Sequence, residues 1–561
     1  MNLPKPSLFS NFSQYSDRIA VIDENKNEYS FRQLQQDAQL LLERFPENRQ
    51  LVFIKNDNSY QAIVSYIACI IGAHPVLLLS AKNKSNSDSI INNYEPNIVI
   101  SFAHSETIID VINPSPILLH EQLALLMTTS GSTGSPKLVK LSTQNIVSNT
   151  RAIIEYLSMS EADRAISTLD FNYSYGLSVL NTILDVGGSI VLTRESVASP
   201  EFWKTYQDMR VTCFSGVPYH FDLVQENFNP ETLFKQTRFI TQAGGKLASS
   251  KITSLLAKLK GLNTKLFIMY GQTEASPRIA YLPPKFVADY PESIGVAIPG
   301  GKLMLWDNKD NEITSNDCEG ELVYIGPNVM KGYAENNKNL ALFEEIPHLK
   351  TGDLAKRMAN GLFQITGRVS RFAKPLGVRI NLDDVQALLD EHAYISATIS
   401  FNDNIFIFVE DKNINEADII KVVSANYQLP EFVIKIAQID KLPRLENGKL
   451  NFKKLIEVAS TDAVKHQGLF FKIKTFVQLF MSELSKHAEL KHSQFKSVKA
   501  LFINFFEIDD ISTNDTFSSL GGDSLTYVQL SLELENYLVS LPANWSKMTI
   551  SELEALKEQN I

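Results

Sequence analysis

Short apolar runs recur along this chain, several of them ending next to a polar or glycine-bearing turn, and they constrain its fold more than any other feature. The runs are Leu51–Ile54, Ile98–Ser101, Ser189–Thr193, Cys213–Ser215, Phe239–Thr241 and Lys265–Met269. Such runs, separated by stretches at helical spacing, predict buried strands in the strand–helix–strand units of an α/β domain. Ligands of open α/β sheets bind where such strands end. We therefore expect a site at the turns Ser215–Pro218, Ala243–Lys246 and Tyr270–Glu274.

The length and the changes of pattern along the chain predict several domains. A chain of 561 residues is too long for one core, and the usual domain size suggests about three or four domains. From Gly320 short strands predict a small β-rich lobe, and after Arg368 a compact α/β stretch runs to Ser460. A strongly apolar helix at Gly468–His487 and a lysine-rich segment after it predict a connector to a last unit.

Composition narrows the classes of partner. The formal net charge of −10 and the pI near 5.5 argue against a nucleic-acid-binding protein. Cys69, Cys213 and Cys318 are isolated from one another, which favours neither a disulfide framework nor a zinc site. No apolar run reaches the length of a membrane span, and the N-terminus lacks the layout of a signal peptide. We expect a cytoplasmic protein without a membrane span.

The segment Met127–Lys137 is rich in glycine and hydroxyl side chains and ends in a lysine. Glycines let backbone N–H groups turn toward an anion, hydroxyls donate hydrogen bonds and lysine adds positive charge, so the segment predicts a polyphosphate-binding loop. It differs from the Walker loop, because Pro136 stands where glycine should precede the lysine and Leu138 replaces the magnesium-binding hydroxyl. From this segment alone, a flexible Ser/Gly connection is the alternative.

Seven motifs in the expected order give the chain a wider resemblance over about residues 10 to 460. The motifs are Thr129–Lys137, Tyr270–Glu274, Gly320–Leu322, Thr351–Asp353, Gly367–Arg368, Gly377–Ile380 and Pro443–Lys449. With them the chain resembles the adenylate-forming superfamily of acyl-CoA synthetases, nonribosomal-peptide adenylation domains and luciferases. The last unit resembles an acyl or peptidyl carrier domain, because Gly521–Leu525 reads Gly-Gly-Asp-Ser-Leu. A plain helix cap is the alternative for that pentapeptide.

This resemblance implies an α/β fold of four parts. Residues 1–368 would form the large adenylation domain, with two α/β subdomains and the small β lobe. Residues 369–461 would form a small, mobile α/β subdomain, residues 462–492 a connector, and residues 493–561 a helical-bundle carrier domain. The implied reaction is activation of a carboxylic acid by ATP and Mg²⁺ as an acyl-adenylate, followed by thioester formation on a 4′-phosphopantetheine arm.

The resemblance also assigns roles to residues of this sequence. Lys449 would stabilise charge in the first half-reaction, Thr273 would contact the α-phosphate and Glu274 would hold Mg²⁺. Asp353 would bind the ribose hydroxyls, with Arg368 beside it. The remaining residues implied in ATP or AMP binding are Thr129, Ser130, Gly131, Ser132, Thr133, Gly134, Lys137, Gly244, Gly245, Tyr270 and Gly271. For Asp353 and Lys449, the alternative is an ordinary exposed residue in a turn.

The second half-reaction involves three further positions. Ser370 stands where the family has its hinge aspartate, and Gly377 would line the passage of the pantetheine thiol. Ser524 would carry the phosphopantetheine arm. The implied partners are therefore a phosphopantetheinyl transferase and a downstream synthase or other acceptor of the acyl group.

The acid itself is less defined by the sequence. Amino-acid-activating relatives carry an aspartate that pairs with the substrate ammonium, and the preferred register places Ser174 there, although a shift would bring in Asn172 or Asp170. An ammonium without a partner is costly to bury, which favours a fatty, hydroxy or aryl acid. Tyr173 and Tyr175 either line the acyl pocket or pack in the core. Free CoA as acceptor, an amino-acid substrate and a non-enzymatic scaffold are the competing interpretations.

The role of Gly377 gives a first prediction. A Gly377→Leu substitution should leave ATP–pyrophosphate exchange intact and block thioester formation, because the side chain would narrow the passage for the thiol. The two half-reactions are measured separately, by exchange and by acyl mass on the protein. Loss of both would contradict this role.

Overall fold

Contacts divide the chain into two units. The first consists of Met1–Ser370 and Pro443–Lys453, and the second of Arg371–Leu442 and Lys454–Ile561. The computed structural model describes residues 8–82, 84–103, 106–129, 137–369, 371–373, 375, 380–402, 404–410, 414–427, 429–445, 449–465, 497–506, 511–517, 519–520, 530, 533–534, 537–538, 542 and 545–558.

The N-terminal part of the first unit alternates strands and helices, as the sequence predicts. Its elements are β1 (Ile19–Ile22), β2 (Glu28–Ser30), α1 (Phe31–Leu42), β3 (Val52–Asn56), α2 (Tyr60–Ile71), β4 (Val76–Ser80), α3 (Lys84–Tyr94), β5 (Ile98–Ala103), β6 (Glu106–Val111), β7 (Leu123–Thr128) and β8 (Leu138–Ser142). Helix α1 begins after Ser30, whose hydroxyl accepts a hydrogen bond from the Gln33 N–H at 3.2 Å and so caps the helix.

The central part of this unit builds the strands that precede the predicted turns. Its elements are α4 (Thr143–Leu157), β9 (Arg164–Ile166), α5 (Ser174–Asp185), β10 (Ser189–Val191), α6 (Pro200–Asp208), β11 (Cys213–Gly216), α7 (Pro218–Asn227), α8 (Pro230–Leu233), β12 (Phe239–Gln242), α9 (Ser249–Leu259) and β13 (Lys265–Gly271). Strands β11, β12 and β13 are neighbours and run parallel, so their carboxyl ends meet at one edge. The strand predictions for this region are confirmed.

The end of the unit is antiparallel. Its strands are β14 (Arg278–Leu282), β15 (Ser293–Ala297), β16 (Lys302–Trp306), β17 (Glu319–Ile325), β18 (Tyr333–Ala334), β19 (Leu349–Arg357) and β20 (Phe363–Arg368). Among the described residues, one sheet has the order β16-β17-β19-β20-β15-β14-β13-β12-β11-β9-β10-β1-β2 and another the order β18-β8-β7-β4-β3-β5-β6.

The predicted β lobe has its own core but not its own sheet. Leu303, Leu322, Tyr324 and Leu349 are among its buried residues. Strand β15, however, pairs with β14 on one side and with β20 on the other. Because both edges of β15 exchange backbone hydrogen bonds, the lobe continues the larger sheet.

The second unit contains a small α/β part. Its elements are β21 (Phe372–Ala373), β22 (Ile380–Asn381), α10 (Leu382–Glu391), β23 (Ser396–Phe401), β24 (Asn404–Val409), α11 (Glu416–Tyr427), β25 (Ile434–Gln438) and α12 (Phe452–Lys465). The sequence predicts a helix over Leu382–Leu389 and a strand over Ile405–Val409, and α10 and β24 confirm both. Apolar side chains of α10 and β24, Val385 and Ile407 among them, form its core.

The C-terminal part of this unit is helical where it is described. It contains α13 (Val498–Phe506), where the sequence predicts a helix, and α14 (Ile550–Glu558). Leu530, Leu534 and Leu538 recur every four residues and are buried, which is the spacing of one helix face. The predicted connector helix at 468–487 lies outside the described residues. In the described part of the chain, no helix is long and apolar enough to cross a membrane.

The core of the first unit gives a stability prediction. Ile67 on α2 is fully buried, so Ile67→Ala should lower the free energy of unfolding of this unit by about 2–5 kcal/mol through lost burial and a residual cavity. Leu40→Ala on α1, where the side chain is 59% exposed, is the matched control and should change it by less than about 0.5 kcal/mol. Urea unfolding followed by tryptophan fluorescence measures both, and equal effects would contradict the assignment of this core.

Candidate active site

The carboxyl ends of β12 and β13 carry two glycines that the local backbone requires. Gly244, just after β12, has φ +86°, a conformation that residues with a Cβ rarely adopt. Gly271, the last residue of β13, lies so close to the Pro277 carbonyl that a Cβ would stand 2.0 Å from its oxygen. Beside the first turn, the Gln242 side chain donates to the Gly245 carbonyl at 2.8 Å. The expected turns are therefore present and specific for glycine.

A buried carboxylate stands next to these turns. The Tyr270 hydroxyl donates to Oδ2 of Asp353, and Arg368 Nε donates to Oδ1 at 2.8 Å. The register of β19 and β20 places Asp353 directly opposite Arg368. The Thr351 hydroxyl accepts from the Asp353 N–H at 3.2 Å and donates to the Leu322 carbonyl at 2.7 Å, which fixes the start of this turn.

These contacts orient Asp353 without saturating it. Each carboxylate oxygen has two lone pairs, so a carboxylate that accepts one bond on each oxygen can still accept two hydroxyl groups. The pKa of Tyr270 is raised well above its usual value, first by burial and then by the Asp353 charge, which keeps the tyrosine a donor. A pair of neighbouring ribose hydroxyls fits this acceptor.

Lys449 belongs to a hairpin-like turn that packs with the first unit. Residues 443–453 are grouped with that unit, and the Leu445 N–H donates to the Lys449 carbonyl at 2.7 Å. The Asn451 N–H donates to the Pro443 carbonyl at 2.8 Å, which closes the other side of the turn. The turn thus brings the lysine to the large domain.

The charges around Lys449 identify its neighbours. Burial, followed by the charge of Arg368, lowers its pKa below the usual 10.5, whereas Asp353 and Glu274 oppose that shift. Its ammonium therefore lies within the electrostatic reach of both carboxylates and of the arginine. The structure brings together four side chains that come from distant parts of the sequence.

Side chains at the short strand β18 and just after it contact both Glu274 and Lys137. The Tyr333 hydroxyl donates to Glu274 Oε1 at 2.8 Å, and Lys137 Nζ lies 2.9 Å from Glu335 Oε1. Burial, then the charge of Glu274, raises the pKa of Tyr333. The lysine that ends the predicted phosphate loop is thus placed near the carboxylate that would hold Mg²⁺. Thr273 stands beside Glu274, and its hydroxyl lies 3.3 Å from that of Ser174.

The donor set around Glu274 fits magnesium bound together with a nucleotide. Carboxylate oxygens are preferred Mg²⁺ ligands, and proteins often supply one or two of them while substrate phosphates supply others. No group of three or more His, Cys, Asp or Glu side chains that could hold a metal occurs among the described residues. A site at Glu274 would therefore depend on phosphate oxygens.

The predicted substrate residues lie around a buried tyrosine. The Tyr175 hydroxyl donates to the Thr241 carbonyl at 3.0 Å, and the Arg278 guanidinium lies 4.6 Å from the Tyr175 ring centre. The Tyr173 hydroxyl is close to Gly244, where a Cβ would approach it to 2.7 Å. Both tyrosines thus pack at the predicted turns, and Tyr175 is also part of the core.

The alternative carboxylate for an amino-acid substrate has other partners. Asp170 lies 3.1 Å from Lys82 Nζ and accepts a bond from the Asn58 side chain at 2.7 Å. Asn172 accepts from the Asn56 side chain at 3.3 Å. Both side chains therefore already have partners within the protein, and they would have to give these up to bind a substrate ammonium.

Part of the predicted set falls outside the described residues. These positions are Ser130, Gly131, Ser132, Thr133, Gly134, Ser370, Gly377 and Ser524. Their roles stay predictions. Thr129 and Lys137, at the two ends of the phosphate loop, are among the described residues.

Sequence reasoning missed three side chains that the structure places at the site: Tyr333, Thr241 and Arg278. Tyr333 lies on a strand of two residues, which is too short for a recognisable pattern. Thr241 reads as part of a buried strand. Arg278 could have been recognised in the sequence, because it is a charged residue directly before the apolar run Ile279–Leu282, four positions after Glu274.

Comparisons with known proteins identify relatives of this chain. The family model for AMP-binding enzymes matches residues 8–334, and the model for the phosphopantetheine attachment site matches residues 496–556. The chain is 25% identical to the oxalate–CoA ligase of Arabidopsis thaliana over 370 residues, which cover 63% of this chain and 70% of that protein. It is 25% identical to a D-alanine–D-alanyl carrier protein ligase of Streptococcus equi subsp. equi, covering 81% of this chain and 98% of the ligase.

The chain also matches multidomain synthetases, of which it spans a small part. It is 27% identical to bacitracin synthase 3 of Bacillus licheniformis over 78% of this chain and 7% of the synthase. Among solved structures, the adenylation and carrier domains of McyG with phenylalanyl-adenylate share the fold, with a TM-score of 0.61 at 18% identity over 98% of this chain and 97% of that one. The chain therefore belongs to the AMP-binding enzymes, the adenylate-forming ligases, and carries a C-terminal phosphopantetheine attachment domain.

Proposed function

We propose that this protein activates a carboxylic acid with ATP and transfers the acyl group to a phosphopantetheine arm on Ser524 of its own carrier domain. The observation that carries the proposal is the convergence of Asp353, Arg368, Glu274 and Lys449, which the sequence places far apart, at the carboxyl ends of the parallel strands. This arrangement combines a hydroxyl acceptor, a metal-binding carboxylate and a cation.

The nucleotide would bind across the turns after β12 and β13. Asp353, oriented by Tyr270 and Arg368, would accept the ribose hydroxyls. Gly244 and Gly245 would let the backbone lie close to adenine. The loop from Thr129 to Lys137, including Ser130, Gly131, Ser132, Thr133 and Gly134, would bind the β- and γ-phosphates, and the position of Lys137 near β18 supports this.

The first half-reaction needs positioning and charge neutralisation more than a base. An oxygen of the substrate carboxylate attacks the α-phosphorus of ATP, the bond to the bridging oxygen breaks, and pyrophosphate leaves. Lys449 would stabilise the negative charge on the carboxylate and bridging oxygens, and Thr273 would orient the α-phosphate. Mg²⁺ held by Glu274 would neutralise phosphate charge.

The second half-reaction replaces AMP by a thiol. The sulfur attacks the acyl carbonyl and AMP leaves as the acyl–phosphate bond breaks. The 4′-phosphopantetheine arm supplies that thiol, after a phosphopantetheinyl transferase has attached it to Ser524. Ser370 would act as the hinge of the small subdomain and Gly377 would line the thiol passage. A downstream enzyme would then accept the acyl group.

The boundaries at 368, 461 and 492 stay part of the proposal. The two family matches, to residues 8–334 and 496–556, support a large domain followed by a carrier. If the connector of about 30 residues were flexible, its ends would lie about 30 Å apart on average and the carrier would be at roughly millimolar effective concentration. If the predicted apolar helix at 468–487 packs against the large domain instead, the reach is shorter. The flexible case favours loading within one chain over transfer to a separate acceptor.

The acceptor can be tested on the full chain. After conversion with a phosphopantetheinyl transferase, the protein incubated with ATP, Mg²⁺ and acid but without CoA should gain acyl mass on Ser524, at a rate per molecule that does not change on dilution. Ser524→Ala is the matched control and should keep pyrophosphate exchange while gaining no mass. Product that forms only when CoA is added would instead support a CoA ligase.

The role of Lys449 predicts a pH dependence. Lys449→Ala should slow adenylation by about 10²- to 10³-fold. The ammonium form of Lys449 is needed, and its pKa lies below 10.5, so kcat/KM for exchange should fall as the pH rises through that lowered pKa. In Lys449→Arg, whose guanidinium keeps its proton to higher pH, this fall should move to higher pH. Lys453→Ala, at an exposed position on the next helix, is the control and should change neither rate nor profile. An unchanged alkaline limb in Lys449→Arg would contradict the role.

A further inference from the structure

Arg278 is an arginine buried inside the first unit. It is 3% exposed and opens β14, where it lies opposite Gly271 of β13. Its backbone is held firmly, because the side chains of Asn149 and Asn328 donate to its carbonyl at 3.0 Å and 2.8 Å. The Asn328 side chain also accepts from the Tyr324 hydroxyl at 2.8 Å. The guanidinium is therefore fixed at this depth by a buried polar network.

The side chain of Arg278 has too few partners for a buried cation. One terminal nitrogen donates to the Ser178 hydroxyl at 3.2 Å, the guanidinium lies 4.6 Å from the centre of the Tyr175 ring, and the Tyr156 hydroxyl is near enough to be affected by its charge. Its Nε has no hydrogen-bond partner, and among the described residues no carboxylate lies within ion-pair distance. Burying a charge without a counter-charge is costly, so the site has spare capacity for an anion.

A small cavity adjoins this arginine. Its walls include Ser215, Thr241 and Met269 from the three neighbouring parallel strands, and Tyr175, Ser178 and Arg278. Arg278 is the one charged residue in its lining, which is otherwise apolar, hydroxyl-bearing or thiol-bearing. The cavity volume of about 20 Å³ is that of one or two water molecules. The space fits a compact polar group better than a hydrocarbon tail.

The cavity borders the site proposed for adenylation. The Ser174 hydroxyl lies 3.3 Å from that of Thr273, and the Ser178 hydroxyl accepts a hydrogen bond from Arg278 in the cavity wall. These two serines are four residues apart on α5, so they lie on the same face of the helix, one turn from each other. A short acid whose carboxylate lies at Thr273 would therefore reach Arg278 with its far end.

We propose that Arg278 binds a second carboxylate at the far end of the substrate, so that the acid activated here is a short dicarboxylic acid. The inference rests on the proposed function, and it replaces the uncharged tail of the fatty, hydroxy or aryl acid expected from the sequence by a charged one. Guanidinium matches carboxylate geometry with paired N–H donors. An α-amino acid would place its ammonium next to the reacting carboxylate, and Asp170, the carboxylate considered for that ammonium, is already paired with Lys82.

Pyrophosphate exchange on the full chain tests this with matched acids. Linear dicarboxylic acids of three to five carbons are compared with monocarboxylic acids of the same length and with small α-amino acids. The wild-type protein should favour a dicarboxylic acid by about 10- to 100-fold in kcat/KM, as expected for a hydrogen bond to a charged group. Arg278→Met should reduce this ratio to about one, and Arg278→Lys should retain part of it.

Arg194→Met, which removes a surface arginine paired with Glu24, is the matched control and should leave the ratio unchanged. Equal wild-type kcat/KM for both acid classes would overturn the inference while leaving adenylation intact, whether or not Arg278→Met folds. An equal loss for both classes in a folded Arg278→Met protein would assign the arginine to packing and overturn it too. Absence of exchange with every acid would instead overturn the proposed function, and with it this inference.

Discussion

The meeting of parallel strands β11, β12 and β13 at one edge is the constraint on which the rest of this site depends. Parallel strands leave their carboxyl-end backbone groups unpaired at that edge, and the turns that follow need glycine to leave room for a ligand. Gly244, with φ +86°, and Gly271, against the Pro277 carbonyl, meet that need. Asp353 is bound by Tyr270, which precedes Gly271, and the Tyr173 hydroxyl lies next to Gly244.

The charges divide the site into two regions of different character. Around the proposed nucleotide position, the carboxylate of Asp353 is paired with Arg368, and Asp353 and Glu274 both act on the Lys449 ammonium. On the proposed acyl side, Arg278 is buried without an ion pair to a carboxylate among the described residues. The first region is suited to neutralising a polyphosphate, and the second to receiving an anion.

Much of the local structure followed from the sequence, because periodicity and capping act over a few residues. The apolar runs at Cys213–Ser215, Phe239–Thr241 and Lys265–Met269 are strands, and the Ser30 side chain caps helix α1. The predicted β lobe was the less accurate case. Its strands were recognised, but the pairing of β15 with both β14 and β20 depends on distant residues, so local pattern could not reveal one continuous sheet.

The sequence by itself determined the α/β class, the carboxyl-end turns and the reactive residue types in the family motifs, because these depend on local chemistry and order along the chain. Only the tertiary structure decided that Tyr333 and Glu335 connect Glu274 with Lys137, and that the Lys449 turn packs with the large domain. It also decided that Arg278 is buried without a carboxylate partner among the described residues. The sequence does not indicate whether a charged side chain faces water or a cavity. Its surroundings depend on how strands and helices that are distant in sequence pack together.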